Sequence, residues 1–401
     1  MNECCQDEPS QGKRFFGFDL HKKYATICAV SQQGDVVLKE DRLPLDQLSL
    51  WAANTLTSDD AVALEATANT WWAYDCLAAH AGQVLVVNPI KTRLIAQARI
   101  NTDELSAEAL ARLLQSNFIS EVWVPDERTR GYRQLISHRI RLVQEATRLK
   151  NRIHAILHRQ QMRSPYRNLF SRVGRAWLEK IDLPEVEKLL LRQNLQLLKS
   201  TEEALAEIEP LLARLAPEDE RVPILMQIPG INVFGALAIL AEIGEISRFA
   251  SPKKLSSYAG LVPSLHRSGQ KNSSGPITKA GRSRLRWVLV EAAHVAVRYD
   301  PQLGRFFYRL RARKGTNVAV VATARKMLVI IWHLLSGDGI YRGRRVDMLA
   351  RKFLEWGWKV GQKDRCGSNK EFVLRQLRHI QINGLTHIKR GGYVYSLIGG
   401  S

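Results

Sequence analysis

The chain has little cysteine and no arrangement of it suited to a metal or a bridge. Cys4, Cys5, Cys28, Cys76 and Cys366 form no Cys-x-x-Cys pair and no Cys/His ligand spacing, which argues against structural zinc and for a reducing compartment. No apolar run reaches the length of a membrane span, and Met1 to Arg14 is polar, without the apolar core of a signal peptide. The expectation is a cytoplasmic protein with no membrane partner. Acid is scarce as well: 39 Asp+Glu against 59 Lys+Arg leave a net charge of +20, which points to a polyanionic partner, nucleic acid by default. With 45% hydrophobic residues and 9 tryptophans in 401 residues, the chain is packed and globular rather than a charged tail, long enough for roughly two or three domains.

Acid is absent altogether between Tyr258 and Arg286, where Arg267, Lys271, Lys279, Arg282, Arg284 and Arg286 stand without a counter-charge. Glycine, proline, serine and asparagine from Pro263 to Gly281 predict a loop that enters a helix at Arg282. Such a loop suits a grip on a phosphate backbone. Ser268, followed by Gly269 so that another backbone can come close, is a candidate nucleophile. The alternative is a solvated basic loop with Ser268 as a turn residue.

Along the chain, Phe15 to Asp19, Ala25 to Val30 and Val36 to Lys39 read as strands, with Gly34-Asp35 as a hairpin turn. Leu43 to Asn54 has helical spacing, Ala61 to Glu65 is a short apolar strand, Trp71 to His80 is helical, and Val84 to Asn88 is a buried strand closed by Pro89. This alternation implies an α/β domain with a central sheet, ending near Val124. Asn101 to Gln115 reads as a helix with Asn101 and Glu104 in a capping box, and Asp103 and Ser106 on one face.

Beyond Pro125 the character changes. Residues 128 to 172 hold 12 Lys/Arg and a single acid, Glu145, on a long helical pattern. That is lopsided for a solvated face and favours a nucleic-acid contact through Arg133, Arg139, Arg141, Arg148, Lys150 and Arg152, or a charged dimer arm. A second amphipathic run, Pro184 to Leu215, is nearer neutral and reads as the antiparallel return of a helical hairpin or coiled coil. From Val222 the chain is mostly helical. Ile228-Pro229-Gly230-Ile231 before Ala236 to Ile243 is like a helix-hairpin-helix turn, in which backbone amides near Gly230 meet phosphate. Leu285 to Val297 and Val318 to Leu335 read as core helices flanked by Arg305, Arg309, Arg311, Arg313, Lys314, Arg325 and Lys326. From Gly361 on the pattern is loose, with Tyr393-Val394-Tyr395 as a terminal strand.

Three acids fall where strands or helix starts present them: Asp19, Glu65 and Asp103. A strand-borne Asp, a second strand acid and acids on a following helix form the kind of oxygen set that holds two Mg²⁺ ions in ribonuclease-H-like folds. Each also has a plain structural reading, a dipole-favoured charge for Asp103 and an exposed edge for Glu65.

Gly17-Phe18-Asp19-Leu20-His21-Lys22, Ala63-Leu64-Glu65-Ala66-Thr67 and Thr102-Asp103-Glu104-Leu105-Ser106 resemble the catalytic motifs of the DEDD transposases of the insertion-sequence one-hundred-ten family, relatives of the Piv pilin-gene invertase. Ile228 to Ile231, Tyr258 to Pro263, Ser268-Gly269, Ile277 to Gly281 and Leu285-Arg286 resemble that family's C-terminal transposase domain in order and spacing. The resemblance, from about Phe15 to about Tyr341, implies an α/β RuvC-like (ribonuclease-H-like) domain, a coiled-coil middle and a C-terminal transposase domain, which the breaks in the chain place over 1–125, 126–218 (a basic helical arm) and 219–360 (mostly α). It leaves 361–401 as an extension without a role. It further implies a DNA transposase or recombinase guided by a structured non-coding RNA, the bridge RNA, working as a dimer or tetramer on target and donor DNA. Asp19, Glu65 and Asp103 would hold Mg²⁺ or Mn²⁺, and Ser268 would form a covalent phosphoserine. The family pattern has an aspartate where this chain has Ser106, and usually a lysine where it has Asn101. An uncharged hydroxyl is a poorer Mg²⁺ ligand, so lowered metal affinity is implied. Two further readings are a catalytically impaired RNA-guided DNA-binding relative and a Holliday-junction-resolvase-like nuclease, the latter needing the acids but not Ser268.

Overall fold

The computed structural model describes residues 13–89, 102–268, 271–337 and 339–397, and the chain divides into two units, Met1–Pro125 and Asp126–Ser401. In the first, three strands, Phe15–Leu20 (β1), Tyr24–Val30 (β2) and Val36–Pro44 (β3), run antiparallel to one another in sequence order. Helix α1 (Leu48–Thr55) leads to β4 (Ala61–Glu65), and α2 (Thr70–Ala78) to β5 (Gln83–Val87). Both later strands run parallel to β1. Helix α3 (Asp103–Gln115) follows, and a short β6 (Glu121–Val122) closes a sheet of order β3-β2-β1-β4-β5-β6. This is a mixed α/β sheet, as the sequence predicts.

The two-residue period of the strands sorts the sides. Phe16, Phe18, Val62, Leu64 and Val86 pack on Leu48 and Ala52 of α1 and Ala73 and Leu77 of α2. The alternate residues Ala61, Ala63 and Val87 pack on Leu110 and Leu114 of α3. On that face Gly17 leaves room for the helix: a Cβ there would lie 2.0 Å from the Ala107 carbonyl oxygen and 2.6 Å from the Ala111 nitrogen.

Two boundaries differ from the sequence reading. Strand β3 runs to Pro44, so the helix expected from Leu43 begins only at Leu48. Helix α3 begins at Asp103, capped by Thr102, whose hydroxyl accepts from the Leu105 amide at 3.3 Å. Threonine in extended conformation is itself a good cap; Asn101, expected in that role, lies outside the described residues.

In the second unit, α4 (Glu127–Arg159), a short α5 (Arg172–Leu178) and α6 (Glu185–Leu215) come first. Arg159 pairs with Glu187 at 2.7 Å, Lys150 with Glu202 at 3.3 Å and Arg139 with Glu209 at 2.7 Å. Partners that climb one helix while descending the other make the pair antiparallel. Leu149, Ile153, Ile156, Leu191 and Leu198 form its apolar seam.

The chain continues through α7 (Arg221–Met226), α8 (Val233–Ile243) and α9 (Pro252–Tyr258) to β7 (Pro263–Ser268) and β8 (Lys271–Ile277). Helices α10 (Ser283–Tyr299), α11 (Pro301–Lys314), α12 (Thr316–Ser336), α13 (Val346–Val360) and α14 (Asn369–His379) follow, then β9 (His387–Arg390) and β10 (Tyr393–Ser396). Ser268 lies on a strand, not in the loop expected from composition, because residues 263–277 pair as an antiparallel ribbon with Ser268 opposite Lys271. The two residues between, Gly269 and Gln270, lie outside the described residues. The stretch after Gly361, loosely patterned in sequence, contains α14 with a complete Ser368/Glu371 capping box.

Helix α12 is long and apolar enough to cross a membrane by length and composition, contrary to the sequence expectation. Ala319, Val320, Ala324, Met327, Leu328 and Ile331 nevertheless pack into the core of this unit, the pattern of a central helix in a folded domain.

Lys352 of α13 reaches into the turn between α7 and α8 and donates to the carbonyls of Met226, Ile228 and Ile231 at 2.7, 2.8 and 2.8 Å. Burial pulls its pKa down to about 7. The carbonyls oppose that, since three acceptors need three N–H donors and only the ammonium carries three.

Replacing Gly17 with alanine should cost about 3 kcal/mol, the upper end of overpacking penalties, because the obstacle is backbone on both sides. Gly131→Ala, in α4 with nothing within 4 Å of the added methyl, should instead stabilise by roughly 0.5–1 kcal/mol. Denaturant unfolding of the two variants checks the pair of signs. Lys352→Met should destabilise by about 2–4 kcal/mol, since it strands buried carbonyls without a hydrogen-bond donor; a melting temperature equal to wild type would show that the turn does not depend on the ammonium.

Candidate functional site

The strand register assembles the acids. Gly17 and Asp19, two apart on β1, share the face against α3. Phe18 lies opposite Leu64, so the next level of the parallel pair brings Glu65, at the end of β4, beside Asp19. Helix α3, seated by Gly17, begins with Asp103 over the same edge. Asp19, His21 and Asp103 each offer an atom within 4.8 Å of the others. Ligands on opposite sides of an ion with bonds of about 2.1 Å stand about 4.2 Å apart, so the donor set fits a small divalent ion with little closure. Glu65 stands on this face but outside that group of three, and Ser106 sits half-buried one turn into α3.

His21 and Tyr24 are the members that reading acids alone misses. Leu20 pairs with Ala25, which brings the next residues, His21 and Tyr24, together at the end of the β1–β2 hairpin. Their rings stack at 4.6 Å, and Asn69 fixes the His21 carbonyl with a 3.1 Å bond. The His21 Nε2 is 3.2 Å from Asp103 Oδ2 and 3.6 Å from Asp19 Oδ2, yet it is a buried atom without an aligned hydrogen bond. The Tyr24 hydroxyl donates to Asp103 Oδ2 at 3.1 Å. Desolvation first and the Asp103 carboxylate second raise the phenol's pKa, which keeps it a donor. Glu108, a further acid of α3, is occupied: its hydrogen bond from Arg112, with a second from Lys39, holds its carboxyl below the usual range.

The basic residues divide differently from their order in the sequence. Arg133 donates to the carbonyls of Ala241 and Glu242 at the end of α8, at 2.8 and 3.2 Å. Arg139 is spent on Glu209 and lies 3.8 Å over the Phe234 ring, and Lys150 on Glu202. Arg148 pairs with Glu145 at 3.0 Å but stays exposed, as do Arg141 and Arg152. Among the later cations, Arg282 donates to the Tyr258 hydroxyl at 3.0 Å and lies 3.6 Å from Glu242, whose carboxylate is also 3.8 Å from Arg284. Lys279 has a left-handed backbone at the root of the ribbon, φ 53°. Arg267 and Lys271 sit on the ribbon opposite Asn272 and Ser268. Gly230, with φ 88°, presses its backbone against α10, where a Cβ would lie 2.3 Å from the Ala292 oxygen.

Two family models match the chain. One, described as a transposase of the DEDD IS110 type, covers residues 16–161; the other, described as the transposase IS116/IS110/IS902 family, covers residues 222–309. A putative transposase of Sinorhizobium fredii is 27% identical over 271 residues, 67% of this chain and 66% of that protein. The transposase for insertion sequence element IS1111A of Coxiella burnetii is 26% identical over 345 residues, 82% of this chain and 91% of that protein. The pilin gene-inverting protein of Moraxella bovis is 27% identical over 347 residues, 80% and 96% of the two chains. The first matched segment contains the Asp19, His21 and Asp103 cluster and the second contains Gly230 and Ser268. The chain belongs to the IS110 family of DEDD transposases, enzymes that act on DNA.

Proposed function

We propose that this protein is a site-specific DNA transposase or recombinase whose first unit is a RuvC-like metal domain. The single observation that carries the reading is the convergence of Asp19 and Asp103, with Glu65 on the same sheet face, at one edge of a sheet of order β3-β2-β1-β4-β5. Asp19, Glu65 and Asp103 would hold Mg²⁺ or Mn²⁺, with Ser106 in the fourth position. An imidazole beside the carboxylates suits Mn²⁺ better than Mg²⁺. Such an ion, when bound, supplies charge stabilisation to a phosphoryl group under attack.

Ser268 is the proposed nucleophile. Its hydroxyl oxygen would bond to phosphorus as the bond to one bridging oxygen of the DNA strand breaks; the serine proton ends on the released strand hydroxyl, and a covalent phosphoserine remains. Attack by another strand's hydroxyl would reverse the step and rejoin DNA. Guidance by a structured non-coding RNA and assembly into a dimer or tetramer rest on the family resemblance, and the division into 126–218, 219–360 and 361–401 rests on it together with the breaks in the chain. The phosphate-gripping role of Arg267, Lys271, Lys279, Arg282 and Arg284, and of Arg141, Arg148 and Arg152 on α4, rests on the one-signed charge of their segments, and that of Gly230 on its helix-hairpin-helix-like turn. Ser106 favours a second reading, a relative that binds DNA but cuts poorly.

Asp19→Ala should abolish strand cleavage and Mn²⁺ binding while leaving DNA affinity within about twofold; cleavage at the wild-type rate would remove the metal site from the reading. Ser268→Ala should abolish the protein–DNA adduct trapped by denaturation, and its persistence would exclude this serine. Ser106→Asp should tighten Mn²⁺ binding by about tenfold, roughly 1.4 kcal/mol, as titrated by electron paramagnetic resonance. Cleavage that rises with that binding supports an impaired native site, whereas unchanged binding places Ser106 outside the metal shell.

A further inference from the structure

Most cations that stand out in the sequence have partners inside the protein, and one group that reads as a mere flank of the core does not. Residues 301–337 contain no acid at all. On α11, Arg305, Arg309 and Arg313 are exposed and make no ion pair or hydrogen bond among the described residues. Their spacing of four residues lines them along one side of the helix, about 6 Å apart and about 12 Å from end to end. Tyr308, 50% exposed, stands beside the stripe with Arg311 stacked 5.0 Å over its ring.

Helix energetics do not explain this arrangement. The dipole favours cations in the last turn, which accounts for Arg313 and Lys314 but not for Arg305, near the helix start. Like charges four apart are mutually unfavourable, by about 0.2–0.5 kcal/mol per pair. The opposite side of the same helix is held firmly: Asp300 caps its first turn through the Gln302 and Leu303 amides at 2.8 and 2.9 Å, and Leu303 and Phe307 are buried. The cations thus stand in a row on a rigid support with no neutralising partner among the described residues.

We propose that the Arg305, Arg309 and Arg313 stripe is a surface that holds the phosphate backbone of duplex DNA, independent of base sequence. The assignment to DNA rests on the DNA-acting function proposed above. At about 3.4 Å of rise per phosphate, a row of about 12 Å runs alongside about four phosphates of one strand, enough for one contact to each of the three guanidiniums, and the Tyr308 hydroxyl can add a hydrogen bond to a phosphate oxygen.

The test uses the full chain and random-sequence duplex DNA, with anisotropy measured across a salt series. In the triple variant Arg305→Gln, Arg309→Gln, Arg313→Gln, the slope of log affinity against log salt should fall by about 2.7, or 0.9 for each lost phosphate contact. Affinity near physiological salt should fall at least about tenfold. A charge-matched control, Arg214→Gln, Arg345→Gln, Arg390→Gln, removes cations that already have carboxylate partners and should leave the slope nearly unchanged. Glutamine keeps the helix propensity, and circular dichroism verifies the fold. An unchanged slope in the α11 variant, or an equal drop in the control, overturns the proposal. A loss of affinity for RNA of the same length with DNA binding intact overturns the assignment to DNA. Wild-type protein that binds no DNA at any salt would instead sink the proposed function itself.

Discussion

The candidate metal site depends on how closely two backbones approach. Gly17 lets α3 lie directly on β1, and with any side chain there the helix would have to lift away from the sheet. Helix α3 starts with Asp103, and β1 carries Asp19 on the face the helix covers. The distance between these carboxylates is therefore fixed by a residue with no chemistry of its own. Ala61 and Ala63 on β4 serve the same end, since small side chains keep the helix low over the neighbouring strand. A divalent ion tolerates little error in ligand position, which makes this packing a condition for chemistry.

The second unit is governed by where positive charge is consumed. The C-terminal end of α8 exposes carbonyls that no later turn can satisfy. Arg133 serves Ala241 and Glu242, Arg248 serves Ile243 at 2.6 Å, and Arg221 serves Gly244 at 2.9 Å. Glu242, nearly fully buried, draws in Arg282 and Arg284 as well. A cluster of arginines from α4, α7 and the region around α9 and α10 thus converges on one helix end, and these residues stitch distant segments together. Much of the excess of positive charge is structural.

This explains what could be read from the sequence and what could not. The sheet was legible because alternation and strand length are local properties, and the long α4 and α6 because their apolar spacing is regular. Asp19 and Asp103, which the structure brings together, stand out in the sequence because one lies near the end of a strand and the other starts a helix. His21 and Tyr24 do not, since their meeting depends on the register of a hairpin. The twelve cations between 128 and 172 suggested an open phosphate surface, but Arg139, Lys150 and Arg159 among them meet Glu209, Glu202 and Glu187 on another helix, and no count along one segment reveals that. The unpartnered arginines of α11 were passed over for the converse reason. Composition also misjudged the ribbon around Ser268, where hydrogen bonding between strands outweighs a run of turn-forming residues.

Lys352 bears on how the second unit is put together. It belongs to α13, beyond the segment that the second family model covers, yet its ammonium holds three carbonyls of a turn inside that segment. The same turn rests on α10 through Gly230. The turn inside the matched region is therefore completed from outside it, and a fragment ending at residue 309 would leave those carbonyls without the Lys352 ammonium. What is inherited as a recognisable unit of sequence is completed, as a physical unit, by a helix from outside it.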